Sequence, residues 1–391
     1  MPAILGLILL TSLALLATAP AVVAADAHVP AEELRSAKPG SILRLWPLEG
    51  GVPSDYKGFR ILYRSTGHDN EPIAVTGALM FPEDAGSGPP RAVVAWAHPT
   101  SGVVTRCAPT LMPDLAGTVQ GIDYFTDAGY VVVATDYPGL GGPGHHPYLV
   151  GASAARAVLD SVRAARQLKS AHAGDRFVVW GHSQGGHAAL FTGIEAASYA
   201  PELKLLGVAA AAPATNLVDL FEADKNTSSG RSLTSMALYS WSRVFGFPES
   251  RFVVPRAEKA FARLAGDCIL SLADFMREDE DEKALARDFL VSDPATDPTI
   301  LEIMTQNTPG PTPRHIPVFI AQGTADELVR PNITRAYARE ICRQGGTVTF
   351  HSLPGGTHLF AGRDGAYAAY EWMGLLFAGR TPKNDCAAAT E

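Results

Sequence analysis

The chain has 391 residues, of which 47% are hydrophobic and 18% charged, so it can bury a large core and is not a disordered protein. Its formal net charge is −8 and its basic residues are scattered, which argues against a nucleic acid as partner. The sequence contains neither a CxxC pair nor a cysteine–histidine cluster, so we predict no metal site and no cofactor.

The N-terminus indicates export. An apolar run over residues 4–16 is followed by the small residues Val22–Ala25, which is typical of a signal peptide in residues 1–25. Cleavage is expected after Ala24 or Ala25. No basic residue precedes the run, so an uncleaved membrane anchor is the alternative, but the run is short for a membrane-spanning helix. We therefore expect a secreted protein.

Short apolar segments recur along the chain and predict β-strands, first in alternating patterns and later as continuous runs. Continuous runs that alternate with helical stretches are typical of a parallel sheet buried on both faces. This order predicts an α/β fold with a mostly parallel central sheet and helices on both faces. The predicted strands are Ile42–Trp46, Gly58–Arg64, Ile73–Phe81, Ala92–Ala97, Tyr130–Ala134, Phe177–Trp180, Gly207–Ala212, Pro317–Ala321 and Thr347–Leu353, and the predicted helices are Gly151–Ser170, Gly185–Ala197 and Ile333–Gln344.

One interval breaks this alternation. Residues 216–312 contain no strand-like run, and a structureless loop of this length is not expected inside a compact domain. We predict an inserted helical cap that divides the α/β core into residues 26–215 and 313–380 and leaves residues 381–391 as a C-terminal tail. A surface appendage with no role in activity is the alternative for this interval.

The pentapeptide Gly181–Gly185 has the pattern G-x-S-x-G with Ser183 at its centre. A predicted strand ends just before it and a predicted helix follows, which is the context of a nucleophile elbow. Side chains at the flanking glycines would collide with neighbouring backbone, and the helix N-terminus would direct partial positive charge at a reacting carbonyl. The motif therefore predicts Ser183 as a nucleophile; a structural Gly/Ser turn is the alternative.

A serine nucleophile needs a base, and in this fold class the chain order is serine, acid, histidine. His358 lies in a glycine-rich loop after the last predicted strand, and we predict that it is the base. The other candidate histidines lie before or within a strand, beside the serine, or ahead of it in the chain; they are His315, His351, His182, His187, His145 and His146.

Asp326 follows the penultimate predicted strand, and we predict that it orients the imidazole of His358. A helix N-cap is an alternative role for this aspartate. Glu327 is a second candidate for the acid, and Asp293 and Asp297 are weaker candidates inside the predicted cap.

The tetrahedral intermediate of acyl transfer needs two N–H donors for its oxyanion. We predict the N–H of Gln184, the residue after the nucleophile, and that of Thr100, because Pro99 in the same loop has no N–H. Tyr137 and His98 are predicted to contact substrate at the same rim of the sheet. For Tyr137, packing within the pocket wall is an equal alternative.

Several segments, in this order, resemble the secretory lipase family, the lipase A type of α/β-hydrolases with an inserted cap. The resemblance implies an exported lipase or esterase with an α/β-hydrolase fold, the triad Ser183, Asp326 and His358, and an acyl-binding tunnel in the cap. One departure is Pro99, where similar sequences often have glycine. The segments extend over most of the chain and are 97–102 (AHPTSG), 107–109 (CAP), 135–141 (TDYPGLG), 146–148 (HPY), 180–187 (WGHSQGGH), 212–214 (APA), 323–329 (GTADELV) and 356–358 (GTH).

The chain contains four cysteines, Cys107, Cys268, Cys342 and Cys386. In an exported protein they permit two disulfides, with three pairings open on the sequence alone. The family resemblance implies Cys107–Cys268, which would tie the cap to the core, and Cys342–Cys386, which would tie down the tail.

Together these features predict a serine hydrolase that cleaves carboxylic esters through an acyl-enzyme. Its expected partner is a small-molecule ester or lipid, with transient contact to a lipid interface and no nucleic acid. Two alternatives stay open: a peptidase or acyltransferase with the same triad, and a secreted binding protein on an inactive hydrolase scaffold.

Overall fold

The computed structural model describes residues 28–48, 50–84, 88–269, 274, 285 and 289–389. The predicted signal peptide, residues 1–25, lies outside the described residues. None of the described helices combines the length and the hydrophobicity that a membrane span requires.

Nine strands form one sheet: β1 (Ile42–Pro47), β2 (Tyr56–Thr66), β3 (Pro72–Pro82), β4 (Arg91–Ala97), β5 (Val131–Thr135), β6 (Ala173–His182), β7 (Lys204–Ala211), β8 (Val318–Gly323) and β9 (Val348–Leu353). Their spatial order is β1-β2-β3-β5-β4-β6-β7-β8-β9. The pairs from β1 to β5 are antiparallel, and all pairs from β5 to β9 are parallel. The predicted mostly parallel sheet is confirmed, and each strand overlaps a predicted one.

The α-helices of the described residues are α1 (Ala31–Ser36), α2 (Ile122–Asp127), α3 (Gly151–Gln167), α4 (Gln184–Tyr199), α5 (Leu217–Asp224), α6 (Ser228–Phe245), α7 (Glu258–Gly266), α8 (Pro298–Gln306), α9 (Pro331–Arg343), α10 (Ala361–Phe377) and α11 (Cys386–Ala389). Helices α3, α4 and α9 pack on one face of the sheet, where Val93 and Ala95 of β4 are buried. Helices α2 and α10 pack on the other face, over Val94 and Trp96. Because both faces are covered, β4 is apolar along most of its length.

The interval between β7 and β8 contains α5 to α8, and its described residues add no strand to the sheet. It is fixed to the body of the protein by specific hydrogen bonds. The indole N–H of Trp241 donates to the carbonyl of Tyr148 at 2.8 Å, and the N–H of Tyr148 donates to Ser240 Oγ at 2.9 Å. The described part of the predicted cap is therefore helical, while its role as a cap stays a prediction.

Two disulfides join Cys107 to Cys268 and Cys342 to Cys386, which is the pairing that the family resemblance implied. The first connects the segment after β4 to the inserted interval, and the second connects α9 to α11. The C-terminal residues are not a free tail, because the N–H of Asp385 donates to the carbonyl of Val348 in β9 at 2.7 Å.

The parallel strands β6, β8 and β9 all end at the same edge of the sheet, because parallel neighbours run in one direction. Ser183 follows β6, Asp326 follows β8 and His358 follows β9. The topology thus brings three segments that are distant in sequence to one rim.

Candidate active site

Ser183 occupies a tight turn between β6 and α4, with φ 57° and ψ −116°. A residue with a side chain rarely adopts this conformation, so the turn is strained. A Cβ atom on Gly181 would lie 2.1 Å from the carbonyl oxygen of Gly185, and one on Gly185 would lie 1.9 Å from that of Ala97. The collisions expected at the two flanking glycines are therefore present in the structure.

His358 contacts both Ser183 and Asp326. The Ser183 hydroxyl lies 2.8 Å from His358 Nε2, and His358 Nδ1 lies 2.9 Å from Asp326 Oδ2. Because a carboxylate only accepts hydrogen bonds, Nδ1 carries the proton and Nε2 is the acceptor that faces the hydroxyl. The arrangement can take a proton from Ser183 Oγ.

Asp326 is buried and held in place by its neighbours. Its Oδ1 accepts hydrogen bonds from the N–H groups of Leu328 at 3.0 Å and Val329 at 2.8 Å. Its Oδ2 accepts from Gln322 Nε2 at 3.1 Å in addition to His358. These bonds fix the carboxylate toward the imidazole; Gln322, the penultimate residue of β8, was not identified from the sequence.

The rival acids have other positions. The side chain of Glu327 is exposed. Asp293 caps a helical turn through the N–H of Ala295 at 2.9 Å, and Asp297 caps α8 through the N–H of Thr299 at 2.9 Å. Both aspartates therefore serve as helix caps in the inserted interval.

The rival histidines also lie apart from the Ser183 hydroxyl. His145 and His315 are exposed, and His351 stacks on Phe319 within the sheet. His187 is buried, with Nε2 2.7 Å from the carbonyl of Asn307.

His182 supports the loop that carries His358. Burial lowers the pKa of His182 to about 3, so its imidazole is neutral, and Nε2 lies 2.9 Å from the carbonyl oxygen of His358. Because a carbonyl only accepts, Nε2 is the donor. Only the position of His182 at the end of the strand before Ser183 could have indicated this role.

His146 fixes the side chain of Gln184. His146 Nδ1 donates to the carbonyl of Pro138 at 3.0 Å, and burial lowers its pKa to about 3. The neutral ring therefore accepts at Nε2, which lies 2.9 Å from Gln184 Nε2. This leaves the buried Gln184 Oε1 without a hydrogen-bond partner among the described residues.

Two cavities meet at Ser183. The larger, here called the outer cavity, has a volume of about 420 Å³ and is lined by His98, Thr100 and His358 among others. The smaller, here called the inner cavity, has a volume of about 50 Å³ and is lined by Gln184 and Asp224 among others. Asp224, the last residue of α5, was not identified from the sequence.

Both predicted oxyanion donors lie beside Ser183. Gln184 is the first residue of α4, so its N–H has no acceptor within the helix. Thr100 lines the outer cavity together with Ser183, and its hydroxyl lies 2.9 Å from that of Tyr148. Their role as donors stays a prediction.

Of the two roles left open for Tyr137, the structure supports packing within the pocket wall. The side chain is fully buried, its hydroxyl donates to the carbonyl of His98 at 3.1 Å, and its ring packs 4.4 Å from the His98 ring. It lines neither cavity at Ser183. Tyr137 thus lies in the wall behind His98, and His98 itself faces the outer cavity.

Comparisons with known proteins agree on one family. A family model described as secretory lipase matches residues 110–385. Lipase 6 of Candida albicans is 25% identical, and the alignment covers 91% of this chain and 81% of that lipase. A relative from Mycobacterium tuberculosis, named a probable inactive lipase, is 24% identical over 90% of this chain and 82% of its own length.

The solved structures give the fold. The X-ray structure of Candida antarctica lipase A in its closed state superposes with a TM-score of 0.73 at 21% identity, covering 90% of this chain and 85% of that one. The predicted α/β-hydrolase fold is thereby confirmed.

Proposed function

Since the chain belongs to the secretory lipase family, we propose that it is a secreted serine hydrolase that cleaves carboxylic esters through an acyl-enzyme. In this proposal residues 1–25 are a signal peptide and residues 216–312 form a cap over Ser183. The helical content of the inserted interval and its contribution to both cavities support the cap.

The proposed reaction follows from the hydrogen bonds of the site. Ser183 Oγ attacks the ester carbonyl as His358 Nε2 accepts its proton, and Asp326 stabilises the imidazolium that forms. The N–H groups of Gln184 and Thr100 stabilise the oxyanion. His358 then protonates the leaving alcohol, and the same imidazole activates a water molecule that hydrolyses the acyl-enzyme.

One observation carries the proposal: a single imidazole lies within hydrogen-bond distance of both a strained serine hydroxyl and a buried carboxylate. The two distances are 2.8 Å to Ser183 and 2.9 Å to Asp326. If His358 had only a structural role, the serine beside its Nε2 would not need a strained backbone conformation.

The direct test replaces the nucleophile. Ser183→Ala should lower the turnover of p-nitrophenyl butyrate by about 10⁴–10⁶-fold, because no other group can form the acyl-enzyme. Ser198→Ala is the matched control, since Ser198 is exposed on α4 and lines neither cavity, and it should retain near-wild-type turnover. Near-wild-type activity in Ser183→Ala would refute the assignment.

A relative named a probable inactive lipase makes an inactive scaffold a specific second candidate. A fluorophosphonate probe separates the two, because it labels only an activated serine. We expect labelling of the wild type and none of Ser183→Ala; failure to label folded wild-type protein would favour a binding protein.

A further inference from the structure

The two cavities lie on different sides of the reacting serine. His358 lines the outer cavity and is absent from the lining of the inner one, whereas Gln184 lines the inner cavity. In the proposed reaction the leaving alcohol must lie on the side of His358, because the imidazolium protonates its oxygen. The acyl group is then directed to the inner cavity.

The inner cavity is small. Its volume is about 50 Å³. A cavity of about 10–15 Å³ holds one water-sized group by this measure, so the inner cavity accommodates about four non-hydrogen atoms. The outer cavity, at about 420 Å³, accepts a much larger group. The difference between the two volumes indicates an ester substrate with a short acyl chain and allows a bulky alcohol.

The inner cavity combines mainly apolar walls with one carboxylate. Its walls are mainly apolar side chains, such as Leu217, Leu220 and Leu233. Among them is the carboxylate of Asp224, a residue that is only 5% exposed. Arg330 Nη2 lies 3.3 Å from Asp224 Oδ1, and no described residue donates a hydrogen bond to Oδ2.

Gln184 lines the same cavity, but its Oε1 is buried and is not reached from the cavity. Gln184 Oε1 has no hydrogen-bond partner among the described residues, because His146 holds the amide in the orientation that turns the NH₂ group to its ring. Asp224 Oδ2 therefore remains the acceptor in the lining, and a ligand that supplies a donor would complete its hydrogen bonding.

We propose that the inner cavity binds the acyl group and selects a short acyl chain that carries a hydroxyl group, with Asp224 as the acceptor. The inference rests on the proposed function and names its substrate class. A neutral hydroxyl fits better than an ammonium, because Arg330 already neutralises Asp224 in part and the other walls are apolar. Burial raises the pKa of Asp224 to about 6, so its carboxylate is an ionised acceptor at neutral pH.

The test compares ethyl esters in a pH-stat at about pH 7.5, so that the alcohol is the same throughout. For the wild type, kcat/KM for ethyl 3-hydroxybutyrate should exceed that for ethyl butyrate by about 10–100-fold, the range expected of a hydrogen bond to a charged acceptor. Ethyl octanoate should fall below ethyl butyrate by about 10-fold or more, since its chain exceeds the inner cavity.

Variants at Asp224 test whether its carboxylate causes the preference for the hydroxylated acyl chain. Asp224→Leu has similar size and no acceptor, so the ratio of hydroxybutyrate to butyrate should fall to about 1 or below. Asp224→Asn keeps the shape of the site and replaces the charged acceptor with a neutral one, so the ratio of hydroxybutyrate to butyrate should fall to about 3–10. This variant provides the test if Asp224→Leu does not fold. Asp219→Leu makes the same chemical change at an exposed position of α5 that lines neither cavity, and it should keep the wild-type ratio.

Each contrary outcome has a distinct meaning. Equal kcat/KM for butyrate and 3-hydroxybutyrate, or an unchanged ratio in Asp224→Leu, would overturn the hydroxyl selection while the esterase proposal stands. Faster hydrolysis of octanoate than butyrate would overturn the short acyl site. Hydrolysis of none of the three esters, together with no fluorophosphonate labelling, would remove the proposed function itself.

Discussion

Asp326 illustrates how neighbours determine what a single carboxylate can do. Backbone N–H groups of Leu328 and Val329 point at Oδ1, so this position must be an acceptor. The other oxygen faces His358 Nδ1 at 2.9 Å and fixes the proton on that nitrogen. Whether His358 Nε2 can accept a hydrogen bond from Ser183 thus depends on having an oxygen atom, and not an NH₂ group, at the position that faces Nδ1.

Replacing Asp326 by asparagine should therefore reverse the tautomer of His358. The amide oxygen must stay at the two N–H groups, so the NH₂ group faces Nδ1 and forces the proton onto Nε2, where it can no longer accept from Ser183. We expect kcat for p-nitrophenyl butyrate to fall by about 10⁴-fold with KM nearly unchanged. Glu327→Gln, at the exposed neighbouring carboxylate, is the control and should retain activity; a mild effect of Asp326→Asn would mean that another group is the acid.

At the scale of elements, the strands were predictable because burial on both faces leaves an apolar run in the sequence. Helix α10 was not predicted, and its glycines explain why. Gly362, Gly365 and Gly374 lower intrinsic helix propensity, so the segment lacks a clear helical signal. A Cβ atom on Gly365 would lie 2.6 Å from the Ala321 Cβ, so the helix approaches β8 through a glycine that weakens it in isolation.

The residues of the candidate site also fall into two groups, those that could be predicted from the sequence and those that only the structure identifies. Ser183, Asp326 and His358 could be predicted because each follows a recognisable strand and stands in a short motif. Asp224 could not be predicted, because it ends a helix of the inserted interval, and only the packing of that helix on the body brings it to the inner cavity. The same holds for Gln322, whose contact with Asp326 depends on how the loop after β8 turns back.

The two disulfides should differ in their contribution to stability. Cys107–Cys268 closes a sequence separation of 161 residues, and Cys342–Cys386 closes one of 44. Because a longer closed loop restricts the unfolded chain more, the first should contribute about 1 kcal/mol more to the free energy of unfolding. Urea unfolding of the Cys107→Ser/Cys268→Ser and Cys342→Ser/Cys386→Ser double variants measures this difference. A larger loss in the second variant would show that strain or native contacts outweigh loop closure.

For the whole molecule, pH acts through several buried groups with opposite effects. Burial lowers the pKa of His146 and His182 to about 3 and of His187 to about 4, below the ordinary value of 6.5. Below about pH 6.5 the unfolded chain therefore binds protons that the folded one does not, and stability is lost as the pH falls. Asp224 acts oppositely, since burial raises its pKa to about 6 and its contribution is lost as the pH rises between its ordinary value of 3.8 and 6. Burial also lowers the pKa of His98 and raises the pKa values of Asp136 and Asp160. Because the four histidines of the unfolded chain take up protons near pH 6.5 and outnumber the three carboxyls, acid should destabilise the fold.

The free energy of unfolding in urea should accordingly fall between pH 7 and pH 5, by up to about 1.4 kcal/mol per pH unit for each buried histidine. His187 is the variant of choice, because it contacts neither His358 nor the Ser183 hydroxyl; its Nε2 donates to the Asn307 carbonyl at 2.7 Å. His187→Gln replaces it with a side chain that stays neutral and can still donate, so the pH slope should decrease by the contribution of one buried histidine, up to about 1.4 kcal/mol per pH unit. His315→Gln, at an exposed histidine, should leave the slope unchanged. An unchanged slope in His187→Gln would mean that His187 becomes protonated in the folded state as readily as in the unfolded chain, and that burial of this ring does not govern acid stability.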